Sequence, residues 1–585
     1  MTRIYLLFLF MLLCTACQVR DERPNVIVIL TDDQGYGDVG YHGNPHIKTP
    51  TIDSLASRGI KLTHFYVSPR CAPTRAALMT GRYPEKTGVF HVTDGGYNMA
   101  EDELTMAEYF RQAGYRTAIC GKWHIGDHYP YLPEDQGFDF ALIHKGGAIG
   151  QLADHPENYW DMTIPLVQRR RCYFNTTLFR NREVYRAEGY VADVFTDHAL
   201  EFIRGNRNRP FFLYLPYNTP HDPYQVPESY LQTYRDFPLQ PEMDSSNGGS
   251  HRLSDYEAAR YVYAMMTNMD DNLSRLVGLL KELELADHTI IVFLSDNGPA
   301  RNRYNGHLRG KKGQVFEGGI RVPAFIHYAG LRGGKEVSFP FAHIDILPTL
   351  AELCHLPIQE DIDGTSMLPA LEGKIPEMND RPLIIRETGY MEPCRDMMIR
   401  KGDYKLIALG GQENPGFQLF NLRDDPFEQN DLSESEPGKA GDLKSELEDW
   451  YREVRHSENL GILPVVVGSR FENPVRLSRH ELVASYSSGW FSRYYLGYYL
   501  IKVLHEGEYS VTLTFKDTIT VPGMVKMKFG PAGRFREIEN VPATRVEFKE
   551  IFMPAGEFVL ETLYQNGEEV ISPFYVEIKN NEIKP

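Results

Sequence analysis

The sequence predicts an α/β fold whose mostly parallel sheet is covered by helices on both faces. Four strand-like runs are apolar almost throughout, which is typical of strands buried on both sides. Amphipathic segments separate these runs, and such strand–helix alternation is typical of parallel sheets. The runs are residues 25–30, 116–120, 211–215 and 289–294, and the clearest helical segments are residues 105–113 and 261–285.

A polar cluster follows each of the four runs. In parallel sheets, ligands bind beyond the carboxyl ends of the strands. Because the clusters occupy that edge, we expect segments that are distant in the chain to converge there on one site. The clusters are Asp32-Asp33, Lys122 with His124, His221 between two prolines, and Asp296-Asn297.

The chain is too long for one hydrophobic core, so its 585 residues predict roughly two to four domains. Short strand-like segments and a helical segment at 442–454 predict a small α+β part after the sheet. Segments 509–515 and 557–563 then alternate like half-buried strands between Gly and Pro turns, which predicts an all-β part. We expect a signal segment at 1–17, a catalytic α/β domain at 24–378, an α+β subdomain at 379–456 and a β-rich accessory domain at 460–585.

The composition is that of an ordinary soluble protein, with 42% hydrophobic and 24% charged residues. The formal net charge of −17 argues against a general nucleic-acid binder. An anionic substrate would therefore have to be captured by a local cationic pocket and not steered by the whole surface.

The N-terminus has the features of a targeting segment. Arg3 precedes an apolar run at 4–13, which fits a signal peptide and is shorter than the roughly 20 residues that span a bilayer. The sequence Thr15-Ala16-Cys17 is similar to a bacterial lipoprotein cleavage box, with Cys17 as the lipidated residue. Plain secretion with cleavage near Ala16 is the alternative. We expect an exported bacterial protein, periplasmic or anchored to the outer membrane only by its lipid.

The two acidic pairs suggest a metal site. Carboxylate and amide oxygens select Ca²⁺ or Mg²⁺ over zinc. One such pair alone is more simply explained as turn or cap chemistry. Two pairs, each after a buried-type strand, favour a metal held by Asp32, Asp33, Asp296 and Asn297.

Cys71 has unusual surroundings. Pro73 suits the first turn of a helix and Thr80-Gly81 suits its end, so Cys71 is expected just outside the helix N-terminus. There the helix dipole and Arg75 would favour negative charge. The residue could be a small buried hydrophobe, a nucleophile with a lowered pKa, or a site of chemical conversion. The few other cysteines do not make a disulfide scaffold, although one or two bridges are open to them.

Basic residues complete the constellation. Lys122 and His124 are spaced i, i+2, so an extended segment would point both to one side. Glycines on both sides of Lys311 and Lys312 suggest a backbone bent close to a ligand. Taken singly, each of these residues, like His221, is as well explained by packing or solvation.

Together the motifs resemble those of the formylglycine-dependent (type I) sulfatases, in the alkaline-phosphatase-like superfamily. Cys71-x-Pro73-x-Arg75 with Thr80-Gly81-Arg82 resembles the signature of that family. The acidic pairs, Gly121-Lys122-x-His124, Pro220-His221 and the segment 312–323 match it in order. The resemblance covers about residues 24–455, and the β-rich end is more loosely similar to a domain of some bacterial sulfatases.

The resemblance implies a mechanism. A maturation enzyme oxidises Cys71 to Cα-formylglycine (3-oxoalanine), which is hydrated to a geminal diol. One diol oxygen attacks sulfur to form a covalent sulfo-enzyme, and the other then expels sulfate. One Ca²⁺, with Mg²⁺ as the alternative, is held by residue 71 and the four acidic-pair residues. Arg75, Lys122 and Lys312 compensate charge.

The two histidines are the candidate proton carriers. His221 is the candidate general acid and His124 the candidate for the diol proton, and these roles can be exchanged.

The substrate is expected to be a sulfated carbohydrate, from the family and the predicted export. A phosphonate or phosphate ester hydrolase of the same superfamily is one alternative, and a catalytically inactive carbohydrate-binding lipoprotein is another. The complete set of candidate catalytic residues argues against the inactive protein. Residues near the motifs that could touch the organic part of the substrate, each also explained by surface solvation, are His91, Arg301, Arg303, His307 and Arg309.

Overall fold

A computed structural model of the protein describes residues 23–583 except 94, 152–153, 160–170, 244–252, 359–360, 375–380, 388–395, 411–415, 487–493, 495, 531 and 540. The predicted signal segment, with Cys17, lies outside the described residues. Within the described part, no helix is long and apolar enough to cross a membrane. Of the cysteines that were open to a bridge, Cys120 and Cys354 are buried free thiols.

A large mixed sheet forms the centre of the molecule. Its order is β11-β2-β10-β9-β1-β8-β4-β5-β6-β7, and the run from β9 to β5 is parallel. The predicted mostly parallel sheet is therefore confirmed, with antiparallel strands at both edges. The strands, including the separate pair β3 and β12, are β1 (Asn25–Thr31), β2 (Ile60–Leu62), β3 (Phe65–Tyr66), β4 (Arg116–Lys122), β5 (Phe140–His144), β6 (Thr177–Arg180), β7 (Glu183–Arg186), β8 (Phe211–Pro216), β9 (Thr289–Ser295), β10 (Ala324–His327), β11 (Lys335–Val337) and β12 (Phe341–Ala342).

Helices cover both faces of this sheet. They are α1 (Pro50–Arg58), α2 (Cys71–Thr80), α3 (Met106–Gln112), α4 (Val191–Asn206), α5 (Glu228–Gln232), α6 (Asp255–Glu282), α7 (Glu317–Ile320), α8 (Ile346–Leu353) and α9 (Leu368–Leu371). Alternate residues of β1 enter two different cores. Ile27 and Ile29 pack in the core that contains α4 and α6, whereas Val26 and Val28 pack in the core that contains α2 and α3. This two-sided burial is why the central strands are apolar without alternation.

The helix starts follow their capping chemistry. Thr105 and Glu108 form a reciprocal capping box before α3, so this predicted helix is confirmed almost to the residue. Ser254 and Glu257 form the same box before α6. The long helix therefore starts at Asp255, ahead of the predicted position 261.

A small α+β part follows the large sheet. Its strands are β13 (Leu383–Arg386), β14 (Met397–Lys401), β15 (Tyr404–Leu409) and β16 (Gly416–Asn421), and α10 (Pro437–Val454) packs on one face through Leu443 and Leu447. The other face packs against α2 and α7, because Met398 and Ile407 share a core with Ala77 and Ile320. This contact connects the small sheet to the elements around Cys71.

The chain ends in a β-sandwich. One sheet has the order β17-β20-β25-β22-β23 and the other β18-β27-β21-β24, and both contribute to one core that includes Ile501 and Leu513. The strands are β17 (Val465–Val467), β18 (Val475–Leu477), β19 (Val483–Tyr486), β20 (Leu496–Val503), β21 (Gly507–Ile519), β22 (Gly523–Phe529), β23 (Ala532–Ile538), β24 (Ala543–Met553), β25 (Gly556–Asn566), β26 (Glu569–Ile571) and β27 (Tyr575–Asn580).

Candidate active site

The four polar clusters meet at one edge of the large sheet. The strands that carry them, β9, β1, β8 and β4, are neighbours in that order and parallel, so their carboxyl ends lie side by side. Lys122 Nζ at the end of β4 donates to Asp32 Oδ2 after β1 at 2.7 Å, although β8 lies between these strands. Residues separated by 90 positions in sequence are thus in direct contact.

The acidic pairs bind each other across β1 and β9. The backbone N–H of Asp33 donates to Asp296 Oδ1 at 3.1 Å, and Asn297 Nδ2 donates to Asp33 Oδ1 at 2.8 Å. Asp33 has a φ of 65°, a left-handed conformation that is uncommon for residues other than glycine. Such backbone strain is concentrated at functional sites, where the surrounding contacts enforce it.

This cluster fits a hard divalent cation. Asp32 Oδ1 and Asn297 Oδ1 are buried, and neither has a hydrogen-bond partner among the described residues. A buried polar atom left without a partner costs about 1–3 kcal/mol. Ligand atoms of Asp32, Asp33 and His221 lie within 4.8 Å of one another. The orphaned oxygens and the mainly carboxylate and amide donors suit Ca²⁺ or Mg²⁺.

Three cations surround the acidic cluster: Arg75 and Lys122 are fully buried, and Lys312 is partly exposed. Arg75 is fully buried and donates from Nε and Nη2 to Asp296 Oδ2 at 3.2 and 2.7 Å. Its Nη1 donates to the carbonyl oxygen of Lys122 at 2.9 Å. Lys312 Nζ donates to Asp33 Oδ1 at 2.5 Å. Burial would raise the pKa of Asp33, but the charges of Lys312 and His221 outweigh it and hold that pKa below its usual range.

Cys71 lies at the start of α2, facing His124. The helix begins at Cys71 itself, so the prediction that this residue lies just outside the helix is wrong by one position, whereas the predicted end at Gly81 is confirmed. Cys71 Sγ is 3.3 Å from His124 Nδ1. Burial would raise the pKa of the Cys71 thiol, but the nearby lysines, 122 and 312, outweigh it and lower that pKa.

His124 is buried and neutral. Burial and the charge of Lys122 hold its pKa well below the usual value. Its Nε2 lies 3.2 Å from the carbonyl oxygen of Val92. The φ of His124 is 58°, so its backbone is left-handed. The prediction that an extended segment points Lys122 and His124 to one side is therefore wrong. The turn after β4, and not the strand pleat, brings His124 to Cys71.

His221 has the opposite electrostatic environment. Its Nε2 is 3.7 Å from Asp33 Oδ2, and its Nδ1 is 2.5 Å from the backbone oxygen of Asp222 and 2.9 Å from Asp222 Oδ1. Burial would lower the pKa of His221, but Asp33 and Asp32 outweigh it and raise that pKa to about 9. The two histidines therefore differ in charge at neutral pH as long as no metal ion neutralises Asp32 and Asp33.

Gly318 and Gly319, which follow Lys312 in the chain, allow two backbone segments to pack closely. A Cβ on Gly319 would lie 2.6 Å from the carbonyl oxygen of Lys311, and one on Gly318 would lie 2.7 Å from that of Arg309. The loop carrying the two lysines packs backbone to backbone against α7. Lys312 donates to Asp33 in the acidic cluster, whereas Lys311 donates to Asn302 Oδ1 at 3.4 Å.

Each of the candidate substrate contacts has a partner within the protein. Arg309 donates to the carbonyl oxygen of Glu428 at 2.8 Å and lies over Phe316. Arg303 is buried against Asp38 at 2.6 Å. Arg301 lies 3.7 Å from Asp255, His307 lies 3.4 Å from Glu242, and His91 Nδ1 lies 3.0 Å from the carbonyl oxygen of Thr93. Contact of these three residues and of Arg309 with the substrate stays a prediction.

Sequence reasoning missed the segment after β5. His144 is paired in register with Lys122, is fully buried, and has a pKa held far below its usual value by burial and by that lysine. A Cβ on Gly147 would lie 3.0 Å both from His124 Cε1 and from Gln151 Oε1. The signal was present, because 140–143 is another apolar run that ends in a polar pair, His144-Lys145.

The C-terminal sandwich also reaches this site. The ring centroid of Tyr97 is 5.9 Å from that of His124 and 5.9 Å from that of His480. Tyr97 Oη donates to Glu481 Oε1 at 2.6 Å, and the N–H of Gly95 donates to the carbonyl oxygen of His480 at 2.9 Å. The turn that contacts His124 is thus held by residues about 380 positions away in the chain.

Known proteins share these features. The profile of the sulfatase family matches residues 24–356, and that of the C-terminal part of N-sulphoglucosamine sulphohydrolase matches residues 309–456. Human steryl-sulfatase is 31% identical over 432 residues, which are 60% of this chain and 70% of the relative. Human N-acetylgalactosamine-6-sulfatase is 30% identical over 436 residues, 70% of this chain and 74% of the relative. The crystal structure of Ps i-CgsB in complex with k-i-k-neocarrahexaose has a TM-score of 0.63 at 30% identity, covering 74% of this chain and 94% of that one.

Proposed function

The chain belongs to the sulfatase family, with its alkaline-phosphatase-like fold and its hydrolysis of sulfuric esters, and from that premise we propose that it desulfates carbohydrates with a formylglycine made from Cys71. The observation that carries the proposal is the placement of Cys71. This residue lies 3.3 Å from a neutral histidine, at the N-terminus of a helix, beside three cations and a cluster of oxygen ligands that suits a metal ion. A hydrated aldehyde at position 71 would supply an oxygen nucleophile in this place.

The three cations would bind the sulfate group. A sulfate ester is already anionic, so its reaction with an oxygen nucleophile requires charge compensation. Arg75, Lys122 and Lys312 are held in place before any substrate arrives, which is electrostatic preorganisation. Ca²⁺ or Mg²⁺, held by the side chains of Asp32, Asp33, Asp296 and Asn297, would add Lewis-acid stabilisation of charge.

The two histidines would move protons at different ends of the reacting group. His124 is the neighbour of residue 71 and is neutral, so it is suited to accept the proton of the nucleophile. His221, on the loop after β8, is suited to donate a proton to the leaving sugar oxygen. Each such transfer typically contributes ~10²–10⁴-fold in rate.

The carbohydrate preference is supported by relatives. One is an N-acetylgalactosamine-6-sulfatase, and another was crystallised with neocarrahexaose. Export, for which the N-terminal segment is the support, would bring the enzyme to such polymers as a periplasmic protein or an outer-membrane lipoprotein. The partner in its maturation would be a formylglycine-generating enzyme.

Mass spectrometry of the peptide that contains Cys71 tests the mechanism. Protein from a host with the maturation enzyme should carry formylglycine at position 71, and Cys71→Ala should be inactive. An unmodified thiol in all of the active protein would contradict the proposal. A panel of sulfated sugars and matched phosphate esters then tests the substrate, and higher kcat/KM on phosphate esters would favour the phosphoester alternative.

A further inference from the structure

A groove of about 340 Å³ lies between the catalytic part and the C-terminal sandwich. We propose that this groove binds a sugar residue of the substrate chain other than the one that loses sulfate, an inference that rests on the proposed function. Its volume is within the range of small-molecule sites. The residues that carry the argument are Asp154, Phe179 and Arg182 on the catalytic side, and Arg470, Phe471 and Tyr575 on the sandwich side.

Aromatic rings form the apolar part of the groove. Phe471 is 46% exposed and is held in place by stacking on Tyr129, with 4.9 Å between the ring centroids. Phe179 and Tyr575 line the same space. A sugar ring has an apolar face of C–H groups, which would pack against such rings, and a polar rim of hydroxyls.

Buried polar atoms in the groove lack partners. Asp154 is 3% exposed and Tyr575 8% exposed, and neither Asp154 Oδ1 nor Tyr575 Oη has a hydrogen-bond partner among the described residues. Arg182 Nη1 is likewise buried without one, although Arg182 Nη2 lies 2.5 Å from Asp135. A carboxylate acceptor, a hydroxyl and a guanidinium donor are thus available together. Hydroxyl groups can satisfy all three, which favours a polyhydroxylated ligand.

The groove also offers one guanidinium group that can pair with an anionic sugar. Arg470 is exposed, and no described residue forms an ion pair with it. Its guanidinium and that of Arg182 lie 4.8 and 5.7 Å from the Phe471 ring centroid. The carboxylate of Glu472 is already bound by His128 at 3.0 Å and Lys145 at 3.2 Å, so it repels an anion less.

A short chain of contacts joins the groove to the reaction centre. Glu481 lines the groove and accepts the hydrogen bond of Tyr97, whose ring lies next to His124. The sandwich therefore packs against the residues around His124, and the groove is separated from the reaction centre by only these side chains.

Calorimetry on Cys71→Ala protein tests the groove without turnover. The double variant Arg470→Ala with Phe471→Ala removes an exposed cation and an exposed ring, so the fold should be retained. The matched control is Arg534→Ala with Phe535→Ala, an exposed Arg-Phe pair on β23 of the same sandwich. The probes are hexasaccharides of sulfated galactan, including neocarrahexaose, and of chondroitin sulfate and heparan sulfate.

We expect the groove variant to bind its hexasaccharide about tenfold or more weakly, the typical effect of losing a ring and a cation together. The control should bind like the parent protein. With Cys71 retained, kcat/KM on a small aryl sulfate should be unchanged in both variants. Equal affinity of the two variants, or no binding of any hexasaccharide by the parent, would overturn the proposal. If mature wild-type protein has no sulfatase activity, the proposed function would instead be refuted.

Discussion

Replacing Lys405 by Met should destabilise the protein through a buried ion cluster. Lys405 Nζ, on β15, is 2.9 Å from Glu317 Oε1 and 2.8 Å from Glu428 Oε1. All three residues are at most 1% exposed. Tyr66 Oη also donates to Glu317 at 2.9 Å, so the cluster anchors α7 against the small C-terminal sheet. The loop that carries Lys312 packs on α7, which connects this cluster to the active site.

The size of the effect follows from burial. Breaking a buried ion pair by removing one partner costs about 3–5 kcal/mol, because the other charge stays buried. Burial would raise the pKa of Glu317, but Lys405 and Arg321 outweigh it and lower that pKa from 4.5 to about 2. That shift corresponds to roughly 3 kcal/mol of stability above pH 4.5, which is lost as the pH falls toward 2. We therefore expect Lys405→Met to lower the free energy of unfolding by about 3–5 kcal/mol at neutral pH and by less in acid.

Urea unfolding followed by near-UV circular dichroism and by residual sulfatase activity measures this change. The matched control is Lys528→Met, because Lys528 Nζ lies 3.3 Å from Glu561 but both side chains are about half exposed. Exposed pairs contribute about 0–1 kcal/mol. Adding Glu428→Gln to Lys405→Met should recover part of the lost stability, since one uncompensated carboxylate is removed.

The reasoning fails if the Lys405 variant unfolds at the same urea concentration as the Lys528 control. It also fails if the loss of stability is independent of pH between 7 and 3. In either case the buried lysine would not be compensating the charge of the two carboxylates.

Three further predictions concern the site and its support. Gly147→Ala should lower kcat strongly, because the new Cβ would lie 3.0 Å from the ring of His124, the proposed proton acceptor. Gly441→Ala, in open space on α10, should leave kcat unchanged, and equal activities of the two variants would contradict this packing. Burial would lower the pKa of His128, but Glu472 outweighs it and raises that pKa from 6.5 to about 9. The free energy of unfolding of wild type should therefore exceed that of His128→Gln by roughly 3 kcal/mol below pH 6.5, and this difference should disappear as the pH passes 9. Urea unfolding at several pH values measures it, and a difference that does not change with pH would refute the prediction. Chelation should abolish activity and Ca²⁺ should restore it, and full activity after exhaustive chelation would contradict the metal site. In calorimetric melting, Ca²⁺ at 100 times its Kd should stabilise wild type by about 2.7 kcal/mol. The same Ca²⁺ concentration should stabilise Asn297→Ala less.

Much of the architecture could be read from local patterns. The runs at the four central strands are apolar because both faces are buried, and burial of this kind leaves a direct trace in sequence. The helix that carries Cys71 and Arg75 has Pro73 in its first turn and Gly81, with a φ of 69°, at its end. Local chemistry of this kind is sufficient for fold class and element order.

The geometry of the site was harder to predict from the sequence. The left-handed φ of His124 and the close approach of Gly147 to its ring depend on turns whose conformation is set by neighbours elsewhere in the chain. A glycine near Lys312 can be required by a ligand or by the protein itself, and at Gly318 and Gly319 the atoms that exclude a side chain belong to the protein backbone. Composition alone cannot distinguish these two reasons for a glycine.

The sequence by itself determined the sheet, the order of its polar strand ends and the family of the protein, because these depend on residue type and spacing. Only the tertiary structure decided that Glu481 of the sandwich supports Tyr97 beside His124, and that Lys405 of the small sheet anchors the helix behind Lys312. Contacts between residues 88 or 384 positions apart leave no periodic signal in the chain. They arise when separately folded surfaces meet, and burial then gives each charged pair its energetic weight.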